Sequence, residues 1–120
     1  GDKLEIEYSI DKDIECKLPP LILQPLVENA IKHGVLRKIE GGKVEIVARD
    51  IGTGIKLIVK DNGVGIPEEK LNSLLKEKST EGIGLKNVHE RLINKYGPEY
   101  GLKIESKVNK GTVVSMVIPK

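Results

Sequence analysis

The chain has 120 residues, 38% of them hydrophobic and 32% charged, which fits one soluble globular unit, residues 1–120, with a self-sufficient core. Its net charge of +2 is too balanced to point to nucleic acid, and with no Trp, no Phe and 3 Tyr it has no aromatic platform for stacking bases. The single Cys, Cys16, excludes an internal disulfide, a Cys-based zinc site and an iron–sulfur cluster. No apolar run approaches the ~20 residues that span a bilayer, and no signal peptide opens the chain. Its first residue is Gly rather than Met, as expected of a fragment or a processed protein.

In chain order, Leu4, Ile6, Tyr8 and Ile10 alternate with polar residues, which predicts a strand with one buried face. Pro19-Pro20 suits the start of a helix, and Leu23, Leu26, Val27, Ala30 and Ile31 recur at helical spacing from Leu21 to His33, with Gly34 as the stop. Gly41-Gly42 separates this helix from a strand around Lys43–Arg49, and Gly52-Thr53-Gly54 predicts a hairpin into a strand over Ile55–Asp61. A glycine-rich loop leads to a short helix near Pro67–Leu75, its first turn carrying a proline and glutamates. Lys76–Ile83 is polar and aperiodic. Leu85, Val88, His89, Leu92 and Tyr96 then line one face of another helix, closed by Gly97-Pro98. Leu102–Val108 and Thr112–Ile118 form a final hairpin around Asn109-Lys110-Gly111. This order predicts an α+β fold, a two-layer sandwich in which helices cover one face of a mixed sheet.

Four stretches carry chemistry. On the first helix, Asn29, Lys32 and His33 at i, i+3, i+4 share a face; a carboxamide oxygen suits magnesium, and an ammonium one turn away suits phosphate oxygens. The same residues also read as a solvated face on which Glu28 pairs with Lys32. In Asp61-Asn62-Gly63-Val64-Gly65-Ile66, Asp61 shares the parity of Leu57 and Val59 and should point inward. A buried carboxylate needs a donor, from the protein or from a ligand such as the exocyclic amino group of adenine, and glycines let the backbone approach a flat base. Asp-Asn-Gly is equally good turn chemistry. Glu81-Gly82-Ile83-Gly84-Leu85-Lys86-Asn87 opens a helix with free N–H groups, a natural phosphate cradle although not a dinucleotide fingerprint. Gly111-Thr112 alone reads as a hairpin bulge.

In this order the four resemble the nucleotide-binding boxes of the GHKL ATPase superfamily, which includes gyrases, histidine kinases and mismatch-repair ATPases: a helical Asn29, Asp-x-Gly-x-Gly at Asp61–Gly65, Gly-x-Gly at Gly82–Gly84, and Gly111-Thr112. Leu23-Gln24-Pro25-Leu26-Val27-Glu28-Asn29-Ala30-Ile31-Lys32-His33-Gly34, with Gly82-Ile83-Gly84-Leu85-Lys86-Asn87-Val88 and Glu90-Arg91-Leu92, is similar to bacterial sensor histidine kinases of the LytS type. The resemblance implies ATP and Mg²⁺ as cofactors, with Asn29 the magnesium ligand, Lys32 facing the phosphates and His33 near the nucleotide. It implies Asp61 on the adenine amino group, Gly63, Gly65 and Ile66 around the base, Gly82, Gly84 and Leu85 at an ATP lid, and Thr112 reaching the adenine side through water. Glu28 is the candidate for polarising the attacking group. Pro25 stands where many relatives carry a polar residue, and the lid box with its Phe is missing.

The implied activity is that of an ATP-binding catalytic domain of a protein-histidine kinase, passing the γ-phosphoryl group to a His on a separate helical dimerisation domain of the same protein and, indirectly, to a response regulator. Such a domain is expected in the cytoplasm, within a membrane-anchored protein, with no nucleic-acid partner. A serine kinase of the anti-sigma type and a non-catalytic nucleotide sensor are the alternatives. His89, among Leu85, Val88 and Leu92, reads as a packing residue, and neither His is placed as a phosphoacceptor.

Overall fold

The structure is a computed structural model that describes residues 4–11, 20–35, 41–73 and 83–119. Its elements follow the sequence periodicity closely: β1 (Leu4–Ile10), α1 (Pro20–Asn29), a π-helical turn (Ala30–Val35), β2 (Gly42–Asp50), β3 (Gly54–Asp61), α2 (Glu68–Ser73), α3 (Ile83–Tyr96), a 3-10 turn (Pro98–Tyr100), β4 (Lys103–Lys107) and β5 (Gly111–Pro119). The expected polar stretch at 76–82 and Cys16 lie outside the described residues.

The strands form a five-stranded sheet in the order β1-β2-β3-β5-β4. β1 runs parallel to β2, and the other neighbours are antiparallel. That arrangement follows from the connections: tight turns join β2 to β3 and β4 to β5, whereas β1 reaches β2 only through α1, the long crossover a parallel pair requires.

Alternation decides the layers. Val44, Ile46 and Ala48 of β2, Ile55, Leu57 and Val59 of β3, and Val114 and Met116 of β5 are buried on one face, under Leu26 and Ala30 from the first helical segment and Leu85, Val88 and Leu92 of α3. Lys56 and Lys60 alternate outward and are exposed. The π-helical turn lies against β2, β3 and β5, and α1 packs on α3. At the crossing, a Cβ on Gly84 would stand 3.8 Å from the Pro25 side chain.

The structure departs from the sequence reading at two places. The first helix does not run as an α-helix to His33: after Asn29 it widens into the π-helical turn, whose i→i+5 bonding turns the backbone less per residue. Asn29 thus ends α1 while Lys32 stands in the π-helical turn, so the α-helical spacing expected between them is not kept. The apolar face of β1 is also not buried. Leu4, Ile6 and Tyr8 are 39, 38 and 65% exposed, although their register with Gly42, Val44 and Ile46 puts them on the core side. β1 is an edge strand, and the helical layer is centred over β2, β3 and β5.

The end of α3 is fastened as its sequence predicts. The Gly97 N–H donates to the Ile93 carbonyl (2.9 Å) at a φ of 122°, and the Leu102 N–H donates to His89 Nδ1 (3.0 Å). His89 is thus a packing residue whose ring nitrogen ties α3 to the approach to β4.

The β4–β5 hairpin crosses the end of β3 so closely that Gly111 has no substitute. Its φ is +118°, and a Cβ there would stand 2.0 Å from the Asp61 carbonyl oxygen, whereas one on Gly52 (φ +87°) would meet nothing within 4 Å. Gly111→Ala is expected to lower unfolding free energy by at least about 2 kcal/mol, and Gly52→Ala by about 1 kcal/mol, in urea titrations.

Candidate functional site

At one end of the core face the apolar rows stop. Asp61 of β3 pairs in register with Thr112 of β5, which pairs in turn with Ser106 of β4. One row further in, the partners are Val59, Val114 and Ile104. The sheet thus carries one polar row on an otherwise apolar surface; Asp61 and Thr112 are buried, each 5% exposed, and Ser106 is half-buried.

Asp61 points inward as its parity predicts, and it also makes the local turn that Asp-Asn-Gly favours. The Gly63 N–H donates to its Oδ1 (2.8 Å), and the Thr112 backbone N–H is a second donor. Burial pushes the Asp61 carboxyl above its usual range, and those two backbone donors pull it part of the way back. No cation among the described residues pairs with it. A carboxylate offers about four lone-pair sites, so two backbone donors leave it room to accept from a ligand.

The loop after β3 is held from both sides. Toward β2, the Lys43 N–H donates to Asn62 Oδ1 (2.7 Å) and the Asn62 N–H to the Lys43 carbonyl (3.2 Å). Toward the last hairpin, the Asn109 N–H donates to the Val64 carbonyl (2.8 Å) and the Ile66 N–H to Ser106 Oγ (2.8 Å). Gly65 has a φ of +74°, and a Cβ there would stand 2.0 Å from the Lys107 carbonyl oxygen. Gly63 through Ile66 therefore lies flat against the β4–β5 turn beside Asp61. A hollow of about 270 Å³ at this end of the sheet touches Asp61, Ser106 and Thr112 and also Lys60, Glu105 and Val113, the row that alternates to the outer face.

The other candidates occupy the helical layer. Asn29 is half-buried at the junction of α1 with the π-helical turn, a local geometry that recurs at functional sites. Lys32 is exposed, its ammonium accessible to an anion. Glu28 is exposed and accepts a hydrogen bond from Gln24 Nε2 (3.0 Å). Gly84 and Leu85 open α3, with Leu85 buried. Gly82 and the side chain of His33 lie outside the described residues. Among the described residues no three His, Cys, Asp or Glu side chains converge on a metal cage. Magnesium rarely asks for such a cage; a single oxygen ligand such as the Asn29 carboxamide, with phosphate oxygens and water, meets its preference.

Ser106 is the member of this polar row that sequence reasoning missed. Its hydroxyl joins the Ile66 N–H, the Gly111 carbonyl (2.8 Å) and Thr112 Oγ1 (2.8 Å). Its signal was its parity with Ile104 at the closed end of a hairpin, legible only once the β4–β5 register is known.

Comparisons with known proteins bear on the family and the fold. Residues 18–120 match the family model described as histidine kinase-, DNA gyrase B-, and HSP90-like ATPase. Sensor protein LytS of Bacillus anthracis is 41% identical over 124 residues, covering 99% of this chain and 21% of LytS. Sensor histidine kinase YpdA of Escherichia coli is 38% identical over 120 residues, 99% of this chain and 21% of YpdA. The chain thus spans about a fifth of the length of these relatives. Among solved structures, the catalytic domain of histidine kinase ThkA superposes with a TM-score of 0.68 at 27% identity, over 98% of this chain and 78% of that one. A histidine kinase domain from Erythrobacter litoralis superposes at 0.71 with 18% identity, over 99% of this chain and 52% of that one, a likeness of fold. The chain belongs to the histidine kinase-, DNA gyrase B-, and HSP90-like ATPase family and is an ATPase domain of the histidine kinase type.

The state of Asp61 has a measurable consequence. Because its folded-state pKa is raised, its stabilising contribution is present at low pH and is lost as pH rises through that pKa; ionised Asp61 weighs against folding. Asp61→Asn, which keeps an oxygen for the Gly63 N–H, is expected to be at least as stable as wild type at pH 7. That advantage should shrink as pH falls into the carboxylate range, when urea unfolding of both proteins is compared at each pH.

Proposed function

We propose that this chain binds ATP with its adenine amino group on Asp61, and that it acts as the catalytic domain of a sensor histidine kinase. The observation that carries the reading is the buried Asp61 carboxylate. It sits in an apolar sheet face with lone pairs to spare and, among the described residues, no cation paired with it, a site suited to accept from a neutral N–H donor. Gly63, Gly65 and Ile66 would flank the base, with Leu85 as a further apolar neighbour and Thr112 as a second polar contact.

Toward the other end of the nucleotide, Asn29 would hold Mg²⁺ through its carboxamide oxygen, and Lys32 would meet phosphate oxygens, with His33 close by. Bound there, the metal ion would supply neutralisation of charge on the transferring phosphoryl group. Gly82 and Gly84 would act as the hinges of a lid over the triphosphate. The protein's part is then positioning and electrostatics, which phosphoryl transfer chiefly demands. The acceptor would be a His nitrogen on a helical dimerisation domain of the same protein. Attack on the γ-phosphorus forms the N–P bond as the β–γ bridging P–O bond breaks and ADP leaves, and Glu28 is the group we assign to polarise the attacking imidazole. The phosphoryl group would pass on to a response regulator. The kinship with sensor kinases supports this reading, and the domain would stand in the cytoplasm, where ATP is available, as part of a membrane-anchored protein. Among the described residues no helix is long and apolar enough to cross a membrane itself.

Calorimetry with Mg-ATP and Mg-GTP tests the binding step. A site that accepts from the 6-amino group is expected to prefer ATP by about 10⁴-fold, and equal affinity would sink the adenine assignment. For the transfer step, the chain alone should take up no phosphate on His33 or His89 by mass spectrometry. Adding the helical domain of the same protein should yield phosphohistidine there, and Asn29→Ala should abolish it. A reconstituted system that binds ATP yet stays unphosphorylated would favour a nucleotide-sensing role instead.

A further inference from the structure

The hydroxyl pair at the end of the polar row has a fixed direction, and that direction bears on which base the site accepts. Ser106 Oγ has three partners. The Gly111 carbonyl can only accept, so the single Ser106 proton goes to it (2.8 Å). The Ile66 N–H can only donate, so it occupies one Ser106 lone pair (2.8 Å). The contact with Thr112 Oγ1 (2.8 Å) must then be a donation from Thr112 into the remaining lone pair. Ser106 is saturated. Thr112 has spent its only proton on Ser106, and what it offers elsewhere is lone pairs alone. Beside it stands Asp61, its cross-strand partner on the same face, which as a carboxylate also only accepts.

We propose that Ser106 is a positioning residue for base recognition. By holding the Thr112 proton, it makes the Asp61–Thr112 edge accept-only, and the site therefore favours a purine bearing a 6-amino group over one bearing a 6-carbonyl. The inference rests on the adenine assignment of Asp61 and adds to it the residue that fixes the second polar contact. A 6-amino group brings two N–H donors to such an edge, whether both bond directly or one across a water. At position 6 a carbonyl sets lone pairs against lone pairs, and the single donor of that edge, N1–H, lies on the neighbouring ring atom, so it can meet Asp61 or Thr112 only if the base shifts from the position the amino group takes. Without Ser106, the Thr112 hydroxyl is free to turn its proton to the base and donate to that carbonyl. The arrangement is built rather than incidental, because the same Ser106 oxygen also anchors the Ile66 N–H of the loop that flanks Asp61.

ATP and ITP differ only at purine position 6 and the adjoining N1, which makes them the natural probes. Their dissociation constants are measured calorimetrically for the 120-residue chain and its variants. Wild type is expected to prefer ATP strongly, and Ser106→Ala to reduce the ATP:ITP affinity ratio about tenfold, the worth of one hydrogen bond. Ser106→Thr, which keeps the hydroxyl, should retain the ratio. In a Thr112→Val background, where there is no hydroxyl to orient, Ser106→Ala should leave the ratio unchanged. A purely structural role gives a different pattern: Ser106→Ala weakens ATP and ITP in equal proportion, or moves the ratio equally in both backgrounds, and either result overturns the proposal. Wild type with equal affinity for ATP and ITP overturns the adenine assignment itself and the proposal with it. Strong wild-type preference that Ser106→Ala does not alter overturns the proposal alone.

Discussion

A carboxylate inside an apolar sheet face is the constraint to which this end of the molecule answers. Burial of Asp61 costs free energy that the fold recovers only in part, through the Gly63 and Thr112 backbone N–H groups. Those donors exist because the chain turns sharply after β3 and because β5 runs in register alongside. The turn in turn needs Gly65 close against the Lys107 carbonyl, and the register needs Gly111 close against the Asp61 carbonyl. The glycines of both motifs thus serve one purpose, to let three backbone segments converge on a single acidic side chain. Residual acceptor capacity at Asp61 is what a ligand would complete.

The remainder of the sheet is ordinary by comparison, and it gives the site its rigidity. Val59 and Val114 sit one row behind the polar row in the core that the π-helical turn covers, with Ile104 packed against its edge. A binding residue on a paired strand, backed by a filled core, is held more tightly than one on a free loop. The helical layer contributes differently: α1 ends at Asn29 in a widened turn. A π-helical turn sacrifices regular bonding, and here it falls directly after the carboxamide that would hold magnesium.

Much of this was legible in the sequence. The inward parity of Asp61, the glycine turns and the apolar faces of α3, β2, β3 and β5 are local patterns, and local patterns survive translation into structure. Three features were not legible, for three reasons. The exposure of Leu4, Ile6 and Tyr8 escaped because alternation tells which residues share a face, not whether anything sits above it. The π-helical turn escaped because Ala30 and Ile31 continue the apolar period of α1 without interruption. Ser106 escaped because its partners, Ile66, Gly111 and Thr112, are brought to it by register across a hairpin and by a loop 40 residues earlier in the chain. Family resemblance supplied roles for Asn29, Lys32 and Thr112 that spacing alone left open.

The measurement that bears most directly on the account is an experimental structure of this chain with Mg²⁺ and a non-hydrolysable ATP analogue. The account predicts the adenine amino group within hydrogen-bond distance of an Asp61 carboxylate oxygen, with Thr112 on the same edge of the base and the triphosphate directed toward Asn29. A nucleotide bound with its base away from Asp61, or with its phosphates rather than its base against the Asp61–Thr112–Ser106 row, would contradict it.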